Sequence, residues 1–209
     1  MGDTLFSGAP SNPPSGEPHV PRNFNILATT ERINESRASS ELWILLRAAG
    51  DESPLVDRLG IWGVVVALTP LDPAEAVAHM RADFTKKPDA IQALYRIIPI
   101  QRLVPTTKED IVKAAHELAA AIGPDESYRI TVEKRRTTLS SKELIEAIAD
   151  PIERRVDLEN PDWFILVETA GRVTGVSVVR PTSMLNVQKE RFRLASEAKK
   201  GAALHDEPA

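Results

Sequence analysis

The sequence predicts an α+β protein made of two packed modules, and three observations carry that reading. Short apolar strands alternate with amphipathic helices in the order strand, helix, strand, strand, helix, strand as far as Val104, and the pattern restarts after Pro105. The 209 residues suffice for two small domains, and 42% apolar content is ordinary for a folded core. With no cysteine, the chain has no disulfide framework, thiolate metal site or cysteine nucleophile, and a reducing compartment fits.

Residues 1–22 hold five prolines among Ser, Gly and Asn without a periodic apolar pattern, and are expected to be a disordered tail. Phe24 to Thr30 reads as a strand. Leu42, Leu45, Leu46 and Ala49 then mark a helical face that stops at Gly50. Leu55 to Leu59 and Ile61 to Leu68 read as strands meeting at Gly60. Asp72-Pro73-Ala74-Glu75 supplies an N-cap, a first-turn proline and an acid at the third helical position, so a helix runs from there to about Phe84. Leu94 to Val104 closes the unit as one apolar strand. Residues 23–104 in this order form a ferredoxin-like split unit, with helices on one face of an antiparallel sheet.

Residues 105–188 make the second unit. Thr106 and Thr107 cap a helix whose Ile111, Ala115, Leu118 and Ile122 share one face until Gly123-Pro124. Tyr128, Ile130 and Val132 alternate with polar residues as a half-buried strand, and Leu144, Ile145 and Ile148 stripe the next helix. Trp163 to Val167 is continuously apolar, as in a strand buried on both faces, and Val173 to Val179 follows a turn at Gly171. Met184 to Val187 offers an edge strand. From Lys189 the chain is charged and weakly periodic, so 189–209 is expected to be a flexible charged tail.

Several function classes fall away on composition. The four histidines lie far apart and lack metal-ligand spacing, so no metal is expected. No apolar run reaches the length of a membrane span, and the start of the chain lacks the basic and apolar regions of a signal peptide. The protein is therefore read as cytoplasmic, with no membrane partner. No Gly-x-Gly-x-x-Gly or Walker-type run occurs, and the nearest approach to an acetyl-CoA loop, Arg47 to Glu52, fails at its last place and sits at a helix end. No cofactor is expected, and the chain is read as a binder, not an enzyme.

The most informative stretch runs from Arg129 to Lys142. It holds five basic residues (Arg129, Lys134, Arg135, Arg136, Lys142) against one acid, Glu133, a local balance of +4 in a protein of net charge −4. With a pI of about 5.7, nucleic-acid binding has to come from such a patch and not from the total. Ser140 and Glu143 form a capping-box signature, so the basic loop leads onto the free N–H groups of a helix start, where anions bind.

Three segments together resemble the THUMP family: Val132 to Thr137 with Leu139-Ser140-Ser141, then Val156 to Trp163, then Thr174 to Val178. The region from Phe24 to Val104, through Tyr95-Arg96-Ile97-Ile98-Pro99-Ile100, is similar to the ferredoxin-like domain that accompanies THUMP in RNA-modification proteins. The resemblance implies an RNA-binding function and, since most members also carry a catalytic domain, is greatest to the stand-alone adaptors that hold tRNA for a separate RNA cytidine acetyltransferase making N4-acetylcytidine. It places RNA contacts on Lys134, Arg135, Arg136 and Thr137 in the loop and on Ser140, Ser141 and Lys142 at the helix start. Arg136 stands where some relatives have histidine. Arg154 and Arg155 are further RNA-contact candidates, although Asp150 and Glu153 nearby also suit helix-surface pairing. The alternatives are an RNA-binding subunit of another tRNA-modifying enzyme, a methyltransferase or a sulfurtransferase, and a protein-interaction module.

Other conspicuous residues read as structural. Asp157, Glu159 and Asp162 fit turn and capping roles better than acid/base chemistry. Trp43 and Trp163 fit the core. Trp62, between Ile61 and Gly63, is open to either a core place or stacking on a base or partner. His116 lies between the flank and the surface of its helix.

Overall fold

The computed structural model describes residues 23–205, with side chains as far as Glu197; the tail expected over 1–22 lies outside them. The first unit comprises β1 (Ile26–Thr30), α1 (Glu35–Ala48), β2 (Leu55–Arg58), β3 (Val64–Leu68), α2 (Pro73–Lys86) and β4 (Leu94–Pro99). The second comprises β5 (Arg102–Pro105), α3 (Lys108–Ala119), β6 (Ser127–Glu133), α4 (Ser141–Ala149), β7 (Arg155–Val156), β8 (Trp163–Ala170) and β9 (Val173–Val179). The chain then returns to the first unit through β10 (Leu185–Asn186) and α5 (Val187–His205). The first sheet has the order β10-β4-β1-β3-β2, the ferredoxin-like arrangement with one added edge strand, and the second has the order β5-β9-β8-β6-β7.

Alternation along the central strands explains why both sheets are apolar on both faces. In β1, Ile26 and Ala28 join a core with Leu42 and Phe84 of the helices, while Leu27 points the other way. In β8, Ile165 and Val167 meet Ile111 of α3 and Ile148 of α4, whereas Leu166 meets Leu27, Val66 and Ile98 of the first sheet. The sheets therefore face each other, with α1 and α2 outside one and α3 and α4 outside the other. Burial on two faces is what made Trp163 to Val167 read as an unbroken apolar run.

Two sequence expectations need correction. Leu94 to Val104 is not one strand: the backbone N–H of Ile100 still donates to Asn25 of the first unit (2.8 Å), but that of Gln101 donates to Val176 of β9 (3.2 Å). The chain changes sheets between these neighbours, and an apolar run cannot show which sheet it pairs with. Ile100 is seated so closely on Gly175 that a Cβ there would lie 2.5 Å from its Cδ1. The charged tail expected from Lys189 is, over its described part, the helix α5. Val187 is buried in the first core, Leu194 packs against that core, and Glu190 between them is buried against Arg81 (3.2 Å) and Arg193 (2.6 Å). A paired acid inside the stripe hid the helical period.

Candidate nucleic-acid interface

Strands β6 and β8 are parallel, with Tyr128 opposite Trp163 and Glu133 opposite Glu168, so both end on one rim of the second sheet. The loop 134–140 leaves β6 there. The Gly171-Arg172 tip of the β8–β9 hairpin lies beyond Ala170 and Val173 at the same rim, and Pro105 of β5 pairs with Val173. Helices α3 and α4 both begin at this rim. Thr107 caps α3 by accepting from the Asp110 N–H (3.1 Å), and Ser140 caps α4 by accepting from the Glu143 N–H (3.3 Å). Both helix dipoles thus turn their positive ends to one surface, offset in part by Glu109, Asp110 and Glu143 in the first turns.

The predicted basic cluster divides at this rim. Lys134 is exposed and donates through Nζ to the Leu139 carbonyl (2.9 Å), closing its own loop. Arg135 turns inward: its guanidinium lies 2.7 Å from Glu168, its N–H donates to Thr169 Oγ1 (2.9 Å), and its carbonyl accepts from Gly171 N–H (2.9 Å). Arg136, held in the left-handed region at φ 53°, is exposed and makes no ion pair or side-chain hydrogen bond among the described residues. A shallow concavity beside it is lined by Thr106, Thr107, Thr137, Thr138 and Arg172. Thr137 Oγ1 accepts from the Leu139 N–H (3.2 Å), and Lys142 is largely exposed, 3.7 Å from Glu146. Ser141 opens α4 one residue after the cap.

Arg154 and Arg155 do not join this cluster. Arg155 pairs in register with Ser127 at the start of β6, six residues from Glu133, so roughly 20 Å of strand separates it from the basic loop. Arg155 lies 3.8 Å from Asp157, and Arg154 donates to the carbonyls of Ile122 (3.4 Å) and Glu153 (2.9 Å). Sequence order alone does not reveal that the chain has crossed to the opposite rim.

Beneath the loop lies a buried charge cluster that was not anticipated. Glu168, 1% exposed, receives Arg135 on one oxygen and Arg96 of β4 on the other (3.1 Å), and Arg96 also reaches Glu133 (3.4 Å). Burial pushes the Glu168 carboxyl above its ordinary range, and the two guanidiniums oppose that shift. The cluster ties the first unit to the residue preceding Lys134. Arg172 was also missed; an exposed cation at a hairpin tip is readable, but its meeting with Arg136 depends on the parallel pairing of β6 and β8.

The acidic residues hold structural posts, as their turn-like setting implied. Asp162 accepts from both the N–H and the hydroxyl of Ser127 (2.8 Å each), which holds its carboxyl below the usual range, and Asp157 is lowered by the N–H groups of Asn160 and Glu159. Glu126 is lowered by the Gly123 N–H, then by Trp163 and Arg180. Trp163 is partly buried, and Arg180 lies 3.9 Å from its ring centroid. Trp43 departs from the expected core place: it is 45% exposed at a surface groove, with Arg47 5.7 Å from its ring centroid. His116 Nε2 lies 3.1 Å from the Ile148 carbonyl and links α3 to α4. Among the described residues no group of three His, Cys, Asp or Glu is placed to hold a metal, and no helix is long and apolar enough to cross a membrane.

The chain is similar to PH1313 from Pyrococcus horikoshii Ot3 at 18% identity, covering 76% of this chain and 55% of that one, with a TM-score of 0.50. TrmN from Thermus thermophilus is similar over 77% of this chain and 47% of its own, at 18% identity and a TM-score of 0.49. A 4-thiouridine synthetase solved with RNA and bound ATP is similar over 76% of this chain and 42% of its own, at 16% identity and a TM-score of 0.42. The chain thus spans about half the length of these proteins, and the likeness to PH1313 speaks to the fold alone. No curated protein matches it. Residues 105–179, which contain the basic loop, the capped start of α4 and the Gly171-Arg172 tip, match the THUMP domain family.

Proposed function

We propose that the chain is a tRNA-binding adaptor that presents tRNA to a separate RNA cytidine acetyltransferase for N4-acetylcytidine formation. The observation that carries the RNA-binding part is the open rim of the THUMP domain. There Arg136 and Arg172 stand exposed beside four threonines, and two helix N-termini face the same surface. Cations and free N–H groups on a concave surface suit phosphates, whereas neutral hydroxyls suit sugar and phosphate oxygens alike. Binding at such a surface is led by the RNA backbone, and selectivity follows RNA shape and unpaired ends.

The adaptor role rests on the resemblance to stand-alone THUMP proteins and on the lack of a phosphate-cradling glycine loop in the sequence. Its chemistry belongs to the partner enzyme. Two measurements test the reading. Purified protein binds a tRNA transcript with a strong salt dependence, and replacing Arg136 and Arg172 by alanine lowers the log–log slope by about 0.7 to 0.9 for each phosphate no longer neutralised. Deleting the gene removes N4-acetylcytidine from tRNA and leaves other modified nucleosides in place, as read by mass spectrometry of digested tRNA. Retention of N4-acetylcytidine overturns the acetylation role, and unchanged binding by the folded double variant overturns the rim as the RNA site.

A further inference from the structure

We propose that Trp62, flanked by Arg32 and Arg58, is a second RNA contact on the first unit: a stacking platform for an unpaired base of the RNA held at the THUMP rim. The proposal rests on the tRNA-binding reading and extends it across both units.

The turn between β2 and β3 is built to hold this ring in the open. Leu59 is buried and Ile61 packs into the core between the sheets, so both sides of Gly60 are anchored. Gly63, at φ 72°, approaches β1 so closely that a Cβ would meet the Thr30 carbonyl oxygen at 2.7 Å, which leaves glycine as the residue that fits. The Gly63 N–H donates to Glu35 Oε1 (2.8 Å), its carbonyl accepts from the Thr30 N–H (2.9 Å), and the Val64 N–H donates to Ile61 (3.1 Å). Between these fixed points Trp62 is 65% exposed. A large ring kept out of the core on a pinned turn gives up the hydrophobic gain of burial while losing little entropy on meeting a flat ligand.

The surroundings select the ligand. The Arg32 guanidinium lies 5.1 Å from the Trp62 ring centroid, and Arg58 lines the recess beside the ring with Glu35 and Gly60. The nearby acids are engaged locally: Glu35 with Gly63, Glu31 with the Asn34 amide, and Asp57 with the Arg58 N–H. An aromatic face with arginines beside it accepts a base and the phosphates on either side of it. Ile33, exposed next to Arg32, adds aliphatic surface.

Position ties the platform to the rim. Thr29 pairs with Arg96 on one side and Val64 on the other, and Arg96 touches Glu133, which immediately precedes Lys134. Val64, two residues after Trp62, therefore lies two strand spacings, or about 10 Å, from Arg96, at the edge of the first sheet that meets the basic loop. One RNA strand leaving the rim along that edge meets the ring.

The test uses the full chain and a tRNA transcript, with W62A, W62F and the double variant R136A/R172A. The ring is exposed, so W62A keeps the wild-type melting temperature. W62A weakens tRNA binding by about five- to a hundredfold, the range of a missing base stack. The salt slope stays unchanged because the ring neutralises no phosphate. W62F retains most of the affinity, and tRNA quenches a share of the wild-type tryptophan emission that W62F lacks. If W62A binds tRNA like wild type while R136A/R172A loses binding, the platform is wrong and the rim reading stands. If W62A has normal affinity but impaired modification by the partner enzyme, Trp62 is a protein contact and the proposal is overturned. If the wild-type chain itself fails to bind tRNA, both readings fall.

Discussion

The two ends of β6 carry similar numbers of arginines and treat them in opposite ways. At the Ser127 end, Arg155 faces Asp157, Arg180 faces Glu126, Arg129 donates to the Leu158 carbonyl and Arg154 to that of Ile122. At the Glu133 end, Arg135 is taken by Glu168, but Arg136 and Arg172 stand without a side-chain partner among the described residues, over a surface that two helix starts face. A matched cation has its field already taken up by the protein. The charge that serves a ligand is therefore the unmatched remainder, which a count along the sequence cannot give.

The largest effect is expected where the open end is anchored. Arg96→Met leaves buried Glu168 with Arg135 as its one counter-charge and costs about 1–3 kcal/mol at neutral pH, measured by urea denaturation. The penalty shrinks in acid. Burial raises the folded-state value of Glu168, so the stability it contributes is fully present below its ordinary value and is lost as pH rises through the raised one. An equal penalty at all pH values would show that Glu168 does not titrate in this way.

The next test sets one end against the other. Removing Lys134, Arg136 and Arg172 together weakens tRNA binding by roughly tenfold or more and flattens the salt slope, whereas removing Arg154 and Arg155 together leaves both nearly unchanged. Equal losses from the two sets would erase the distinction between the ends. A smaller effect follows at the helix start. Ser140→Ala destabilises the fold by about 1 kcal/mol, with Ser140→Gly nearer to wild type, as read from denaturation midpoints.

The smallest and most local effect belongs to the matched end. The Ser127 N–H and hydroxyl hold the Asp162 carboxyl below its ordinary value, so its contribution to stability is present above that value and lost as pH falls through the lowered one. Asp162→Asn is therefore less stable than wild type at neutral pH and loses less on acidification. A parallel acid limb for the two proteins would remove Asp162 from the account.

Periodicity made most elements legible, because each buries a face at its own spacing: Leu144 and Ile148 four apart on α4, Leu166 and Ile165 on opposite faces of β8. The capping roles of Ser140, Thr107 and Asp72 were legible for the same local reason. Long-range pairing was not. Nothing near Arg135 in the chain says that Glu168 awaits it, and Arg136 beside it has the same chemistry but the opposite direction. Nor did the apolar run through Ile100 disclose that its two halves pair with different sheets. Trp43 makes the same point, since the apolar pattern around it suggested burial and the backbone kept it at the surface.

The return of the chain to the first sheet has a consequence for synthesis. Leu185 and Val187 complete the core under α1 and α2, and Leu185 pairs with Ile97 of β4. A ribosome releases residues from the N-terminus onward, so every strand of the second unit emerges before the last pieces of the first unit do. The earlier half of the protein thus waits for the later one, with the edge of β4 uncovered in the interval. A nascent chain that paused with Leu185 still inside the ribosome would expose that edge for as long as the pause lasted.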